Sequence, residues 1–227
     1  WELLAANEWL SESLSRRLDG TVSDDATIEG DVVVEPGATV KAGVTIEGPA
    51  YIGEDATIGP NAYIRGATAI GANANVGHAV EIKNSVLLSD ATVGHLSYVG
   101  DSILGRGVNF GAGTTVANLR HDDEPVELTV KGDRVSTGRR KFGVVVGDNA
   151  KTGINTSLNA GVVVGTEMPT TPGEVLTRDR REGTQPHAIS CTGSSSARTD
   201  STRLTDVPRR YTTQASVQAQ HVNRNDA

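Results

Sequence analysis

Residues 22–88 read VSDDATIEGDVVVEPGATVKAGVTIEGPAYIGEDATIGPNAYIRGATAIGANANVGHAVEIKNSVLL. An aliphatic residue stands at every sixth position, from Val22, Ile28 and Val34 through to Ile82 and Leu88. Glycine follows it at Gly53, Gly59, Gly71 and Gly77, and alanine stands four beyond it at Ala26, Ala38, Ala50, Ala56, Ala62 and Ala74. A helix would repeat its apolar positions at i, i+3, i+4 and i+7, and a half-buried strand would alternate, so neither produces this spacing. A short strand followed by a tight corner does. That unit is one flat face of a triangular parallel β-helix, with the aliphatic pointing into the prism and Gly or Asn relieving the corner. Three faces make a coil of about 18 residues, and each coil buries its aliphatics against those of its neighbours.

The period continues with two slips of one residue. The first gives Val93 and Val99, the second Leu104, Phe110 and Val116, and the pattern returns at Val146, Thr152, Leu158 and Val164. Val116 and Val146 lie 30 residues apart, five hexads, so residues 119–142 leave the prism as a long loop and re-enter it in phase. Loops of that length inside a compact domain usually carry function. Ahead of the repeats, residues 1–19 read as a helix ended by Gly20, with Leu3, Leu10 and Leu14 at helical spacings beside Trp9. Residues 182–227 carry no hexad, are rich in Ser, Thr, Gln, Asn and Arg, and read as a disordered tail. The expected organisation is a linker helix at 1–20, an all-β parallel β-helix at 21–181, and the tail.

Composition excludes several classes. The 227 residues suffice for one domain. Lys and Arg number 21 against 28 Asp and Glu, a net charge of −7, which argues against a protein built to coat nucleic acid or an anionic membrane. Aromatics are 4%, so the core must be aliphatic. The single cysteine, Cys191, excludes an intramolecular disulfide and any site of two or four Cys ligands. No apolar run approaches the roughly 18 residues of a membrane helix. The reducing cytoplasm is the expected compartment. The chain opens on Trp1 rather than Met and is expected to be part of a longer one.

Scaffold residues obey the period; chemistry is sought where polar groups break it. The densest such stretches are GHAVEIKN (77–84) and GHLSYVGDSILGRGVNFGAGTTVANLR (94–120). With these motifs the chain resembles the acetyltransferase half of the bifunctional sugar-1-phosphate nucleotidylyltransferase/amino-sugar-1-phosphate N-acetyltransferases, members of the hexapeptide-repeat, left-handed β-helix family. The opening WELLAANEWL resembles the linker of the archaeal branch. The resemblance covers about residues 1–180. It implies acetyl-CoA-dependent N-acetylation of glucosamine-1-phosphate or galactosamine-1-phosphate, on the way to UDP-N-acetylglucosamine. It also implies a homotrimer with the site between prisms, and Mg only for the nucleotidylyltransferase domain.

The resemblance assigns roles residue by residue. His95 is the general base, a role for which histidine is the natural residue type because imidazoles titrate close to neutral pH. By itself His95 also reads as an exposed corner histidine. Arg65, Lys83 and Lys141 carry the phosphate, as a bidentate fork or as point charges. Arg65 and Lys83 are 18 residues apart, one coil, so the period independently stacks them on one face. Glu81, Tyr98 and Asn109 meet the sugar, and Asn118 lies near its amine. Ala112 and Gly113 let acetyl-CoA approach the backbone, with the Ala112 N–H as oxyanion donor, and Ile154 stands where bacterial members have a CoA-contacting serine. Leu119 likewise replaces a bacterial tyrosine, and the loop at 119–142 is longer than the bacterial one. Two other readings stand beside this one. The β-helix could serve only to oligomerise or regulate a nucleotidylyltransferase, or the scaffold could hold a metal, for which the His78 and His95 spacing of 17 lacks a third histidine on the coils.

Overall fold

The computed structural model describes residues 1–182; the tail expected beyond them, with Cys191, lies outside the described residues. Three parallel sheets of eight, six and eight strands wrap a single aliphatic stack. The chain passes from the first face (Val32–Val34) to the second (Thr39–Val40) to the third (Thr45–Glu47) and returns to the first one coil higher (Ala50–Ile52). The strands are two to four residues long because a corner interrupts the chain at every hexad. On the third face Ile46, Ile64, Ile82, Val99 and Val116 lie in one inward column, all buried. The register on that face stacks Tyr63, Glu81 and Tyr98 in one column, and Arg65, Lys83 and Gly100 in another, in successive coils. Among the described residues no helix is long and apolar enough to cross a membrane.

The first register slip falls one hexad earlier than the sequence suggests. Leu87, not Leu88, points inward, pairing in register with Ile70 and Leu104, while Leu88 faces out. The corner between Ile82 and Leu87 is one residue short, and so is the next, between Val99 and Leu104. Two fully buried serines close these corners. The Ser102 amide donates to Ser85 Oγ at 3.0 Å, and the Val144 amide to Ser102 Oγ at 3.0 Å. Each hydroxyl donates to the carbonyl two residues back, Lys83 O at 2.8 Å and Gly100 O at 2.7 Å. A side-chain oxygen here replaces the backbone acceptor that the shortened corner loses.

The N-terminal helix is shorter than the 1–19 segment expected and turns a different face inward. α1 spans Glu2–Ser11, and Arg17–Leu18 pair with Val33 and Val34 as the first strand. Serines at 11, 13 and 15 are poor helix formers, and an open parallel edge satisfies the backbone instead. The inward face is Leu4, Asn7, Glu8 and Ser11, whereas Leu3, Trp9 and Leu10 are exposed. The loop at 119–142 is folded. Glu127–Val130 pairs antiparallel with Asp133–Ser136 across a two-residue turn, Lys131 and Gly132, whose φ angles of 51° and 97° meet the type I′ requirement. Val126, Leu128 and Phe142 from this loop join Leu4 of α1 and Val86 in a second apolar cluster outside the first face. That cluster leaves the third face open.

Candidate active site

Polar side chains concentrate on the third face and the two corners that flank it. Arg65 donates from Nε and Nη2 to Glu81 Oε1 at 2.9 and 2.7 Å, and its guanidinium lies 5.6 Å from the Tyr63 ring centroid. The Glu81 carboxylate pushes the Arg65 pKa further up. One coil higher, Lys83 Nζ sits between the two Asp101 oxygens at 3.0 and 2.8 Å, which leaves one ammonium N–H for a ligand. The pair is largely buried, with side-chain exposures of 17% and 3%.

Asp101 is the hub. Besides Lys83 it accepts from Asn84 Nδ2 at 3.0 Å and from Asn118 Nδ2 at 2.5 Å. Asn118 Nδ2 also donates to the Tyr98 hydroxyl at 3.2 Å. Asp101 and Asn84 hold left-handed backbone, with φ of 51° and 45°, at the corner where the coil below uses Gly66. Asn and Asp tolerate that conformation and offer a side chain that glycine cannot. Gly100 stands where Arg65 and Lys83 stand in the coils below, and a Cβ there would strike both the Tyr98 hydroxyl and the Asn118 amide. The gap in the cation column is therefore where the Tyr98–Asn118 contact forms. Burial, then the carboxylates of Asp101 and Glu81, push the Tyr98 hydroxyl up, so it remains a neutral donor near pH 7.

The opposite corner of the same face carries the histidines. His95 lies in register with His78 in the coil below. Above it the Gly113 amide donates to His95 O at 3.0 Å, and the Asn155 amide to Ala112 O at 2.8 Å. His78, His95, Ala112 and Ile154 thus form one column. Both histidines are exposed. The Ser97 hydroxyl donates to His95 O at 2.8 Å and pins the corner, while the His95 imidazole has no hydrogen-bond partner among the described residues. His78 Nδ1 lies 3.5 Å from Asn61 Nδ2. The backbone N–H of Ala112 is likewise without a partner among the described residues.

The structure gathers most of the expected residues. Arg65, Glu81, Lys83, Tyr98 and Asn118 share the third face and its far corner; His95, Ala112, Gly113 and Ile154 share the near corner. Asn109 does not join them. It lies on the second face, paired with Thr92 and Lys151, and is exposed. Lys141 pairs through its backbone with Leu119, next to Asn118, and is exposed. Residue-by-residue reading passed over Asp101, Asn84, Glu8 and Arg139. The available signal was a carboxylate inside GHLSYVGD at a corner that glycine or asparagine takes in the coils below.

A cavity of about 870 Å³ opens elsewhere, between the loop hairpin and the last coils. Three of its cations, Arg120, Arg134 and Arg181, are paired with Asp122, Glu127 and Asp179, and a fourth, Arg178, also lines it. Arg120 holds the Asp122 carboxyl down at about 2. The cavity touches none of the third-face residues. Among the described residues no three His, Cys, Asp or Glu side chains are grouped to hold a metal.

The fold defines a hexapeptide-repeat parallel β-helix protein with its polar groups ranged along one face and its corners. A family model, the GMPPB C-terminal domain, matches residues 46–142. The bifunctional sugar-1-phosphate nucleotidylyltransferase/acetyltransferase of Sulfurisphaera tokodaii is 44% identical over 181 residues, 79% of this chain and 45% of that protein. The bifunctional protein GlmU of Methanococcus vannielii is 48% identical over 165 residues, and that of Methanococcus maripaludis 54% over 165; each match covers 73% of this chain and 40% of the relative. Among solved structures, a mutant GDP-perosamine N-acetyl transferase from Caulobacter crescentus, in complex with CoA and GDP-perosamine, is 19% identical over 72% of this chain and 53% of that one, with a TM-score of 0.26. The chain is homologous to the C-terminal, acetyltransferase half of the bifunctional sugar-1-phosphate nucleotidylyltransferase/acetyltransferases. It spans less than half the length of these relatives.

Proposed function

We propose that this chain catalyses acetyl-CoA-dependent N-acetylation of an amino-sugar 1-phosphate, glucosamine-1-phosphate or galactosamine-1-phosphate, by direct transfer. One observation carries the reading: the exposed His95 imidazole lies one coil below the Ala112 backbone N–H, and among the described residues neither has a hydrogen-bond partner. Neighbouring coils are about 4.8 Å apart, so a single carbonyl centre can meet both groups. The amine attacks the thioester carbonyl while His95 Nε2 or Nδ1 takes its proton, and the Ala112 N–H stabilises the oxyanion. Collapse breaks the C–S bond, and the departing thiolate takes the proton back from the imidazolium. Arg65, Lys83 and the nearby Lys141 supply charge for the phosphate, and Glu81, Tyr98 and Asn118 meet the sugar hydroxyls and amine. Gly113 and Ile154 continue the His95 column as the path for acetyl-CoA.

Asn109 fits this reading only from a second prism, since within one prism it faces away from Tyr98. We therefore place the site between subunits of a homotrimer, in the cytoplasm, in the synthesis of UDP-N-acetylglucosamine. Sugar-1-phosphate nucleotidyl transfer, with Mg, would belong to a further domain of the whole protein. The test is CoA release from acetyl-CoA with each sugar phosphate, beside a His95→Ala variant. Release that requires the sugar phosphate and falls about a hundredfold or more in the variant is expected, the usual loss for a general base. No release from the folded protein would favour a β-helix that only oligomerises or regulates a nucleotidylyltransferase.

A further inference from the structure

α1 docks against its own hydropathy. Trp9, Leu10 and Leu3 stay 71%, 58% and 49% exposed, while Asn7 and Glu8 go inward beside Leu4. A helix held for packing alone would bury its apolar stripe. What this orientation supplies is a set of hydrogen bonds at the corner behind the third face. Asn7 Nδ2 donates to Ala67 O at 2.7 Å. Glu8 Oε1 accepts from Asn84 Nδ2 at 2.8 Å, and Arg139, from the end of the long loop, holds both Glu8 oxygens. Asn84 Nδ2 in turn reaches Asp101 Oδ1 at 3.0 Å. The chain of contacts thus runs without a break from α1 through Asn84 to Asp101, and from there to Lys83, Asn118 and Tyr98.

We propose that Glu8 is a positioning residue for the acceptor site, with Asn84 as its relay; the inference rests on the acetyl-transfer reading above. The reason is the symmetry of an amide. Asn84 meets two carboxylates, Glu8 and Asp101, and both accept from its NH₂ group. With Glu8 present, flipping the amide would set its oxygen against two anions at once, so the orientation is fixed. Without Glu8 the amide turns more freely and Asp101 Oδ1 loses a firm donor. Asp101 then rotates, and with it go the directions of the free Lys83 N–H and of the Asn118 amide. α1 and Arg139 thereby set the geometry of side chains that they do not themselves contact, Lys83, Asn118 and Tyr98.

The experiment measures CoA release on the full chain, with KM for the sugar phosphate and for acetyl-CoA determined separately. Glu8→Ala is expected to raise the sugar-phosphate KM about tenfold, the effect of one charge-assisted hydrogen bond, with the acetyl-CoA KM within about twofold. Glu8→Gln keeps an acceptor for Asn84 and should stay within about threefold of wild type. Asn84→Gly, which removes the amide but keeps the left-handed corner that Gly66 takes one coil below, should match Glu8→Ala, and the double variant should be no worse than either, because both remove one pathway. Asn7→Ala loosens α1 outside this pathway and should lower the thermal midpoint without moving the sugar-phosphate KM. If Glu8→Ala proves too unstable to assay, Asn84→Gly is read in its place. A wild type that releases CoA, with a Glu8→Ala variant whose sugar-phosphate KM stays within about twofold, overturns the positioning role alone. An Asn7→Ala variant that raises that KM as much as Glu8→Ala does also overturns it. A wild type without transfer overturns the acetyl-transfer reading and takes this inference with it.

Discussion

The sharpest test of the site's architecture is Asp101→Asn. Asparagine matches aspartate in shape and accepts the left-handed backbone, so the φ of 51° at this position is kept at little cost. What changes is the electrostatics. The Asp101 side chain, 3% exposed, takes in an ammonium and two amide donors across its two oxygens. In the variant one oxygen becomes an NH₂ group and faces donors, and Lys83, 17% exposed, loses its counter-charge. Removing one partner of a buried pair costs about 3–5 kcal/mol. The residual exposure of Lys83 lets it find water, so the lower end applies, about 3 kcal/mol, or about 6–12 °C of thermal midpoint for a domain this size. Urea unfolding followed by circular dichroism gives the free energy and calorimetry the midpoint. Asp90→Asn is the control: an exposed corner with φ of 61° and no ion pair among the described residues, expected to move stability by less than about 0.5 kcal/mol. An Asp101→Asn variant within about 1 kcal/mol of wild type would show that the carboxylate is not the hub of the corner.

Two further predictions concern the scaffold and pH. A Cβ on Gly77 would overlap the Gly94 carbonyl oxygen, while a Cβ on Gly94 would meet nothing within 4 Å. Gly77→Ala should therefore destabilise by about 1–3 kcal/mol and Gly94→Ala by less than about 0.5, as thermal melts of the two variants would show. The Arg139 guanidinium, with help from Asn84, holds the Glu8 carboxyl below its usual 4.5. A depressed carboxylate contributes stability above its unfolded pKa and loses it as pH falls through the folded value. Docking of α1 should thus be at full strength above about pH 5 and weaken below it, and Glu8→Gln should flatten that acid limb in a plot of thermal midpoint against pH. A variant with the same acid limb as wild type would remove Glu8 from the contact.

Much of this was legible in the linear sequence because a β-helix is nearly one-dimensional. A residue's neighbours in space lie one coil away, so spacing converts directly into contact. The 18-residue separation of Arg65 and Lys83 translated into a register pair for that reason. The first slip was misplaced at Leu88 because two adjacent leucines satisfy the same pattern, and only the buried Ser85 and Ser102 hydroxyls decide which one faces in. The extent of α1 was misread for a related reason. Helical spacing measures what a helix could bury, and an open sheet edge at Val33 and Val34 competed for Arg17 and Leu18.

The three-faced prism, its inward aliphatic column, the excursion at 119–142 and the polar motifs that break the period can all be read from the repeat alone. Those features depend on local corner chemistry and on a repeat that any single coil already displays. It takes the folded chain to show that Asp101 gathers Lys83, Asn84 and Asn118, that Asn109 falls on another face, and that α1 turns Glu8 rather than Leu10 toward the prism. Glu8 and Asn84 are 76 residues apart, and Glu8 and Arg139 are 131. No period links them, because α1 and the end of the long loop lie outside the repeat and meet only when both have folded onto the same corner.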